Sequence, residues 1–282
     1  MLVVRKISRM RTLVQRAKRN GKKIGFVPTM GALHEGHLSL IHRCRKETDL
    51  CIMSLFVNPL QFGPHEDFLR YPRSLNKDEM FAKKENVDII FYPSEKEMYP
   101  DCYLTYIHVQ RLTAGLCGRF RPGHFQGVTT IVGKLLHIVS PDILYLGQKD
   151  AQQAIVLKKM IEDLNFSLKV RILPTVREPD GLAMSSRNSN LTTPERKGAP
   201  ILYRSLRLAK KEILKGERNA QRIIQLIQKE IQTHSSASLD YVECVDAQNL
   251  VPLKILRKEV LIALAAWFGR TRLIDNIRLR VP

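Results

Sequence analysis

The chain has 282 residues, 44% hydrophobic and 26% charged, with 46 basic against 27 acidic side chains and a net charge of +19. These values fit a globular protein of one large or two smaller domains. They exclude a membrane span of roughly 20 apolar residues, because the longest apolar runs, such as Val260 to Phe268, are only strand-sized.

The N-terminus reads as a short strand and an amphipathic helix rather than a secretory leader. Cys44, Cys51, Cys102, Cys117 and Cys244 lie far apart with no C-x-x-C pair, which argues against a disulfide framework or a zinc site and for a cytoplasmic setting. The basic surplus is spread along the chain without interleaved aromatics. It therefore predicts nonspecific polyanion binding at low salt and a site for anionic substrates, not a specific nucleic-acid partner.

In chain order, Leu2 to Val4 reads as an edge strand, and Met10 to Asn20 as a helix ended by Gly21. Ile24 to Pro28 is a strand, Gly36 to Lys46 a helix and Leu50 to Val57 a continuous apolar strand. Ser74 is placed to cap a helix running to about Asn86, and Val87 to Tyr92 is a strand. His124 to Val139 (helix), Asp142 to Leu146 (strand), Asp150 to Leu164 (helix) and Leu168 to Leu173 (strand) complete an alternating series. Short, fully apolar strands separated by amphipathic helices predict an α/β, Rossmann-like parallel sheet covered on both faces.

Beyond about Thr175 the character changes. Pro194 to Lys215 and Asn219 to His234 read as helices, and Leu239 to Val245, Glu259 to Phe268 and Arg272 to Ile277 as strands. The expected organisation is a catalytic domain over residues 1–175 and a smaller C-terminal α+β lid domain over 176–282.

The strongest local signal is the stretch from Pro28 to His37, a strand-to-helix turn with Gly31, His34, Gly36 and His37. In an open α/β sheet, ligands bind beyond the carboxyl ends of strands. A helix N-terminus there offers N–H groups and a positive dipole end to an anion. His34 and His37 are three residues apart, so on one helical turn they face the same way. The text H-E-G-H is one residue short of the H-E-x-x-H zinc motif, which leaves phosphate contact as the favoured use of the pair.

This H-x-G-H form resembles the adenylyl-transferring superfamily that includes class I aminoacyl-tRNA synthetases. Further segments narrow the resemblance: Phe56 to Phe62, Tyr71-Pro72-Arg73, Arg121 to Val128, Gly147 to Gln153, Asp180 to Asn188, and Leu273-Ile274-Asp275-Asn276. In this order and spacing the chain resembles the pantoate–β-alanine ligase (pantothenate synthetase) family from its first residues almost to its last.

The resemblance implies an ATP-dependent, magnesium-assisted ligase. Pantoate would be converted to pantoyl adenylate with release of pyrophosphate, and the β-alanine amine would then displace AMP. It implies an ATP site containing Met30, Gly31, Ala32, Leu33, His34, Glu35, Gly36 and His37. Gly147, Gln148, Lys149, Asp150 and Val176 would belong to that site, as would Met184, Ser185, Ser186 and Arg187. His37, His34 and Lys149 would be catalytic. Gln61, Gln153 and Asn58 would contact or orient pantoate, with Gln61 also near β-alanine. Tyr71, Arg121 and His124 are secondary candidates without an assigned role. The serine-arginine loop would close over ATP, and a homodimer through the larger domain is expected. Many relatives have Gly-Glu-Lys-Asp where this chain reads Gly-Gln-Lys-Asp, so Gln148 removes one negative charge there. Two alternatives stay open: an adenylyl transferase acting on another acid, and a tRNA-related nucleic-acid-binding protein.

Overall fold

The computed structural model describes residues 1–64 and 66–282. Its elements begin with β1 (Leu2–Val4), α1 (Ile7–Arg19), β2 (Ile24–Thr29), α2 (Glu35–Glu47) and β3 (Leu50–Leu55). They continue through α3 (Leu75–Lys84), β4 (Ile89–Phe91), α4 (Glu95–Met98), α5 (Cys117–Phe120) and α6 (His124–Val139). Next come β5 (Ile143–Gly147), α7 (Ala151–Asp163), β6 (Lys169–Leu173), α8 (Thr193–Gly198) and α9 (Ile201–Leu214). The last are α10 (Ala220–His234), β7 (Ser238–Asp246), β8 (Glu259–Phe268) and β9 (Thr271–Arg280).

The chain divides into two units, one of residues 1–110, 121–147 and 156–174, the other of 111–120, 148–155 and 175–282. The chain passes between the units several times, the last time between residues 174 and 175. Residues 111–120 and 148–155 group with the C-terminal part although they precede it in sequence.

In the first unit, six strands form a parallel sheet in the order β1-β4-β3-β2-β5-β6. Val27, Met53, Ile90 and Tyr145 pack with Leu38, Ile41, Cys44 and Ala82 of α2 and α3. Phe26, Ile52 and Leu144, one position away along their strands, are equally buried and point to the opposite face by strand alternation. Burial on both faces explains why these strands read as unbroken apolar runs. The order reverses between β2 and β5, which makes the carboxyl end of β2 the topological switch point where such sheets bind ligands.

In the second unit, β7, β8 and β9 form an antiparallel sheet. Ile223, Ile227 and Ile231 of α10 and Leu202, Leu206 and Ile213 of α9 share one core with Val260, Ile262 and Leu264 of β8. The i, i+4, i+8 spacing of the α10 isoleucines is the apolar stripe that faces this core.

Two local expectations are corrected. The single helix expected over Pro194 to Lys215 is two helices, interrupted at Ala199 and Pro200. Both residues keep helical dihedrals, but proline has no N–H to continue the hydrogen-bond ladder. Ser74 occupies the N-cap of α3 without a side-chain cap bond. Five thiols are free, four of them buried, and among the described residues no helix is long and apolar enough to cross a membrane.

A buried ion pair ties β9 to the segment after Thr175. Arg177 donates from Nη1 and Nη2 to Asp275 Oδ2 and Oδ1 at 2.6 and 2.9 Å, and its guanidinium lies 3.5 Å from the Tyr203 ring centroid. Asp275 is only 2% exposed, so removing it strands a largely buried cation. Asp275→Ala is expected to lower unfolding free energy by about 3–5 kcal/mol, measured by urea denaturation. Arg177→Met in that background should recover part of the loss.

Candidate functional site

The turn after β2 is built around one buried carboxylate. Asp78 of α3, 4% exposed, accepts from the backbone N–H groups of Ala32 at 3.1 Å and Leu33 at 2.8 Å. Burial pushes its pKa up, against the pull of those two hydrogen bonds and the Lys77 charge. Gly31 sits at φ +88°, a conformation costly for any side chain, and a Cβ there would come within 2.9 Å of Asp78 Oδ2. Gly31 N–H in turn donates to Thr29 Oγ1 at 3.2 Å, and that hydroxyl donates to Ser54 O on β3 at 2.7 Å.

From this anchored turn the chain enters α2 with His34 as N-cap. His34 Nδ1 accepts from Gly36 N–H at 3.1 Å, and His37 Nδ1 accepts from His34 N–H at 3.4 Å. The two imidazoles therefore form the reciprocal capping box that Ser and Glu usually make. Their ring centroids are 4.1 Å apart. Since each Nδ1 is an acceptor, each neutral ring carries its proton on Nε2. Glu35 is exposed at the first helical position, where its charge complements the helix dipole.

Gln61 ends a short 3₁₀ turn, Pro59–Gln61, that follows β3. Its Oε1 accepts from Asn58 Nδ2 at 3.2 Å and its Nε2 donates to Met30 Sδ at 2.9 Å. Asn58, 1% exposed, also donates to Gly127 O at 3.0 Å and accepts from Tyr99 Oη at 2.8 Å. Its amide is thus committed on both sides to the protein. Tyr71 is buried with its ring edge-on to Phe62, at 5.9 Å between centroids.

Gly147 ends β5 in the first unit, and the second unit carries the other residues predicted for the ATP site together with Gln153. Gln148, Lys149 and Asp150 form a 3₁₀ turn. Asn276 of β9 holds it, donating from Nδ2 to the carbonyls of Gln148 and Lys149 at 3.0 and 2.9 Å and accepting from Gln148 Nε2 at 3.0 Å. Gln148 thus supplies a donor to Asn276 that a glutamate could not. Lys149 Nζ lies 4.0 Å from Asp150. Gln152, in α7, binds Cys117 N–H and the carbonyls of Leu112 and Gly115. The next residue, Gln153, is half-buried and its side chain makes no hydrogen bond among the described residues. Val176 and Met184 face each other across a short hairpin, joined by a 3.0 Å bond from Met184 N–H to Val176 O. Ser185 caps the following Ser186–Asn190 turn by accepting from Arg187 N–H at 3.3 Å. Asn188 braces that turn through Glu178 Oε1 and Ala183 O, at 2.7 and 3.1 Å.

Against this geometry stand the known proteins. A protein-family model described as pantoate-beta-alanine ligase matches residues 2–278. The chain belongs to the pantoate–β-alanine ligase family. A pantothenate synthetase of Caldicellulosiruptor saccharolyticus is 52% identical over 281 residues, covering all of both chains. The crystal structure of pantothenate synthetase from Thermus thermophilus superposes with a TM-score of 0.93 at 41% identity, over 98% of this chain and 99% of that one. A pantoate–β-alanine ligase from Francisella tularensis, crystallised with beta-gamma ATP and β-alanine, has a TM-score of 0.80 at 37% identity over 98% and 97% of the two chains.

Within this pantoate–β-alanine ligase fold, sequence reasoning missed Asp78, Tyr99 and the part played by Asn276. Asp78 fell inside the helix expected after Ser74 and had no assignment. Asn276 lay in a segment quoted for resemblance, with no role attached. Arg121 and His124 now have partners: Arg121 Nε donates to Glu66 Oε1 at 2.7 Å and Nη2 to the Gln61 carbonyl at 3.2 Å. Burial works to raise the Glu66 pKa, but the hydrogen bond and charge of Arg121, aided by Gly63 N–H, hold it below the usual value. A groove of about 940 Å³ in the second unit is lined by Lys197, Arg204, Arg207 and Lys211 together with Asp180 and Glu230, and by no predicted site residue.

Asp78→Ala leaves two buried N–H groups unpaired and is expected to cost about 1–3 kcal/mol in urea unfolding, whereas Asp78→Asn, which keeps one acceptor oxygen, should cost less. Because the folded pKa of Glu66 lies below its ordinary 4.5, its stabilising contribution is present above that value and is lost as pH falls further. The difference in unfolding temperature between the wild type and Glu66→Gln should therefore be constant near neutral pH and shrink on acidification below about 4.5.

Proposed function

We propose that this chain condenses pantoate with β-alanine, using ATP and releasing AMP and pyrophosphate through pantoyl adenylate. The observation that carries the reading is the α2 N-terminus. There, at the carboxyl end of β2, two histidines have Nδ1 committed to backbone N–H groups and therefore keep Nε2–H as a donor. Donors held in place, together with the helix dipole, suit negative charge growing on phosphate oxygens and need no reorganisation during the reaction.

The pantoate carboxylate attacks the α-phosphorus, the bond to the bridging oxygen breaks, and pyrophosphate leaves. His37, with His34 beside it, donates to the phosphate oxygens. Met30, Gly31, Ala32, Leu33, Glu35 and Gly36 shape that turn. Gln61 binds pantoate, and its amide, which both donates and accepts, lies close to where β-alanine is taken. Gln153 is the second pantoate ligand, consistent with its uncommitted side chain. Asn58 acts on pantoate through Gln61, since both its Nδ2 hydrogens and its Oδ1 already have protein partners. In the second step the β-alanine amine attacks the acyl carbon, sheds a proton, and AMP departs.

Lys149 pairs with phosphates, Asp150 with the ribose, and Gly147 and Gln148 shape the turn. The Val176–Met184 hairpin packs near adenine by backbone contact, and Ser185, Ser186 and Arg187 grip phosphates. Among the described residues no group of three His, Cys, Asp or Glu side chains could hold a metal ion. Magnesium would be held chiefly through phosphate oxygens and water, where it would offset their charge. The enzyme would act in the cytoplasm, as a homodimer through the larger unit.

The test is AMP release by purified protein with ATP, magnesium, pantoate and β-alanine. Omitting pantoate should abolish it, and turnover with a different acid in its place would favour the alternative of another carboxylate-adenylating enzyme. His37→Ala and Lys149→Ala should each slow adenylation by about 100-fold or more. Near-normal turnover in both would contradict their roles.

A further inference from the structure

Gln61 is held by its main chain as well as by its side chain, and the groups that hold the main chain have had no role. The Gln61 carbonyl oxygen accepts two hydrogen bonds, from Arg121 Nη2 at 3.2 Å and His124 Nδ1 at 2.7 Å. A carbonyl can only accept, so His124 carries a proton on Nδ1. Its Nε2 lies 3.1 Å from Arg121 Nη1, and a guanidinium can only donate, so Nε2 is the acceptor there. The two assignments agree on one neutral tautomer. Glu66 completes the set, taking Arg121 Nε and Nη2 on its two carboxylate oxygens, the paired geometry that fixes the plane of a guanidinium.

A second contact fixes the same segment from the side. Gly127, one turn into α6, lies so close that a Cβ would collide with Leu60 O and sit 2.6 Å from Gln61 N. The absence of a side chain lets the α6 backbone bear directly on the turn. Arg121, His124 and Gly127 all belong to the Arg121–Val128 segment, and all three act on residues 60 and 61.

We infer that Arg121 and His124, oriented by Glu66, are positioning residues that set the placement of the Gln61 side chain and thereby the affinity for the hydroxy acid. This inference rests on the proposed role of Gln61 in binding that substrate. Asn58 orients the amide at the far end of the side chain, while Arg121 and His124 hold its root. A glutamine that donates and accepts at once needs both ends fixed, because a shift of about 1 Å at a binding group can cost up to about 100-fold.

The test uses the full chain and four variants: Arg121→Lys, Arg121→Met, His124→Asn and His124→Gln. Asparagine can place its amide N–H where His124 Nδ1 lies and so keeps the bond to Gln61. Glutamine reaches the Nε2 position and keeps only the bond to Arg121. Expected for Arg121→Met and His124→Gln is a rise of about tenfold or more in the KM for pantoate with the KM for ATP nearly unchanged, and His124→Asn should recover most of the loss. Arg121→Lys, which cannot reproduce the fork, should resemble Arg121→Met.

Hydrogen exchange at the Gln61 and Phe62 amides reads the same contrast without substrate. Exchange should be slow in the wild type and His124→Asn, and faster in Arg121→Met and His124→Gln. Equal behaviour of His124→Asn and His124→Gln in either measurement, or parallel losses for ATP and pantoate, would overturn the positioning role. A wild type that turns over another acid but not pantoate would overturn the substrate assignment alone. The exchange contrast, and the KM contrast on that acid, would then still decide the positioning role.

Discussion

One buried carboxylate carries much of the first unit's site. Asp78 accepts from two successive backbone N–H groups, those of Ala32 and Leu33, immediately before the N-cap of α2. Such a pair fixes the direction in which the chain leaves β2, and the capping box of His34 and His37 follows from that direction. The cost of burying Asp78 shows in its raised pKa. An apolar residue at that position would leave two amides unpaired, so the carboxylate is retained despite its desolvation.

The same logic recurs in groups that support others. Asn58 spends its whole amide on Gln61, Gly127 and Tyr99. Asn276 spends its own on the Gln148–Lys149 turn, and Asn188 braces the turn that holds Ser186 and Arg187. Each is an asparagine used as a short connector, Asn58 and Asn276 through both amide atoms and Asn188 through Nδ2 alone. A site made of turns and loops gains its stiffness from such connectors, because turns lack the repeated hydrogen bonding of helices and strands.

Histidine has two separate uses in the first unit. His34 and His37 accept through Nδ1, which leaves the proton on Nε2. His124 donates through Nδ1 and accepts at Nε2. The tautomers are opposite, and in each case a neighbour that can only donate or only accept decides which one is adopted. The first pair is thereby suited to contact with phosphate oxygens and the third to holding a carbonyl, although all three are the same residue type.

The alternating strands and helices, the glycine turn and the paired histidines were readable from local periodicity and spacing, since each depends on residues only a few positions apart. The order of motifs placed the family. What could not be read were the partners of those residues. Asp78 lies 46 positions from Ala32, Arg121 lies 60 from Gln61, and Asn276 lies 128 from Gln148. Hydrogen-bonded pairs so distant leave no periodic trace in a single sequence, and a short acidic or amide side chain looks the same whether it is solvated or buried against a backbone. The chain itself determined the elements and the chemical groups they carry. Folding alone decided which of those groups hold the others in place, because that depends on burial and on the direction of each donor and acceptor.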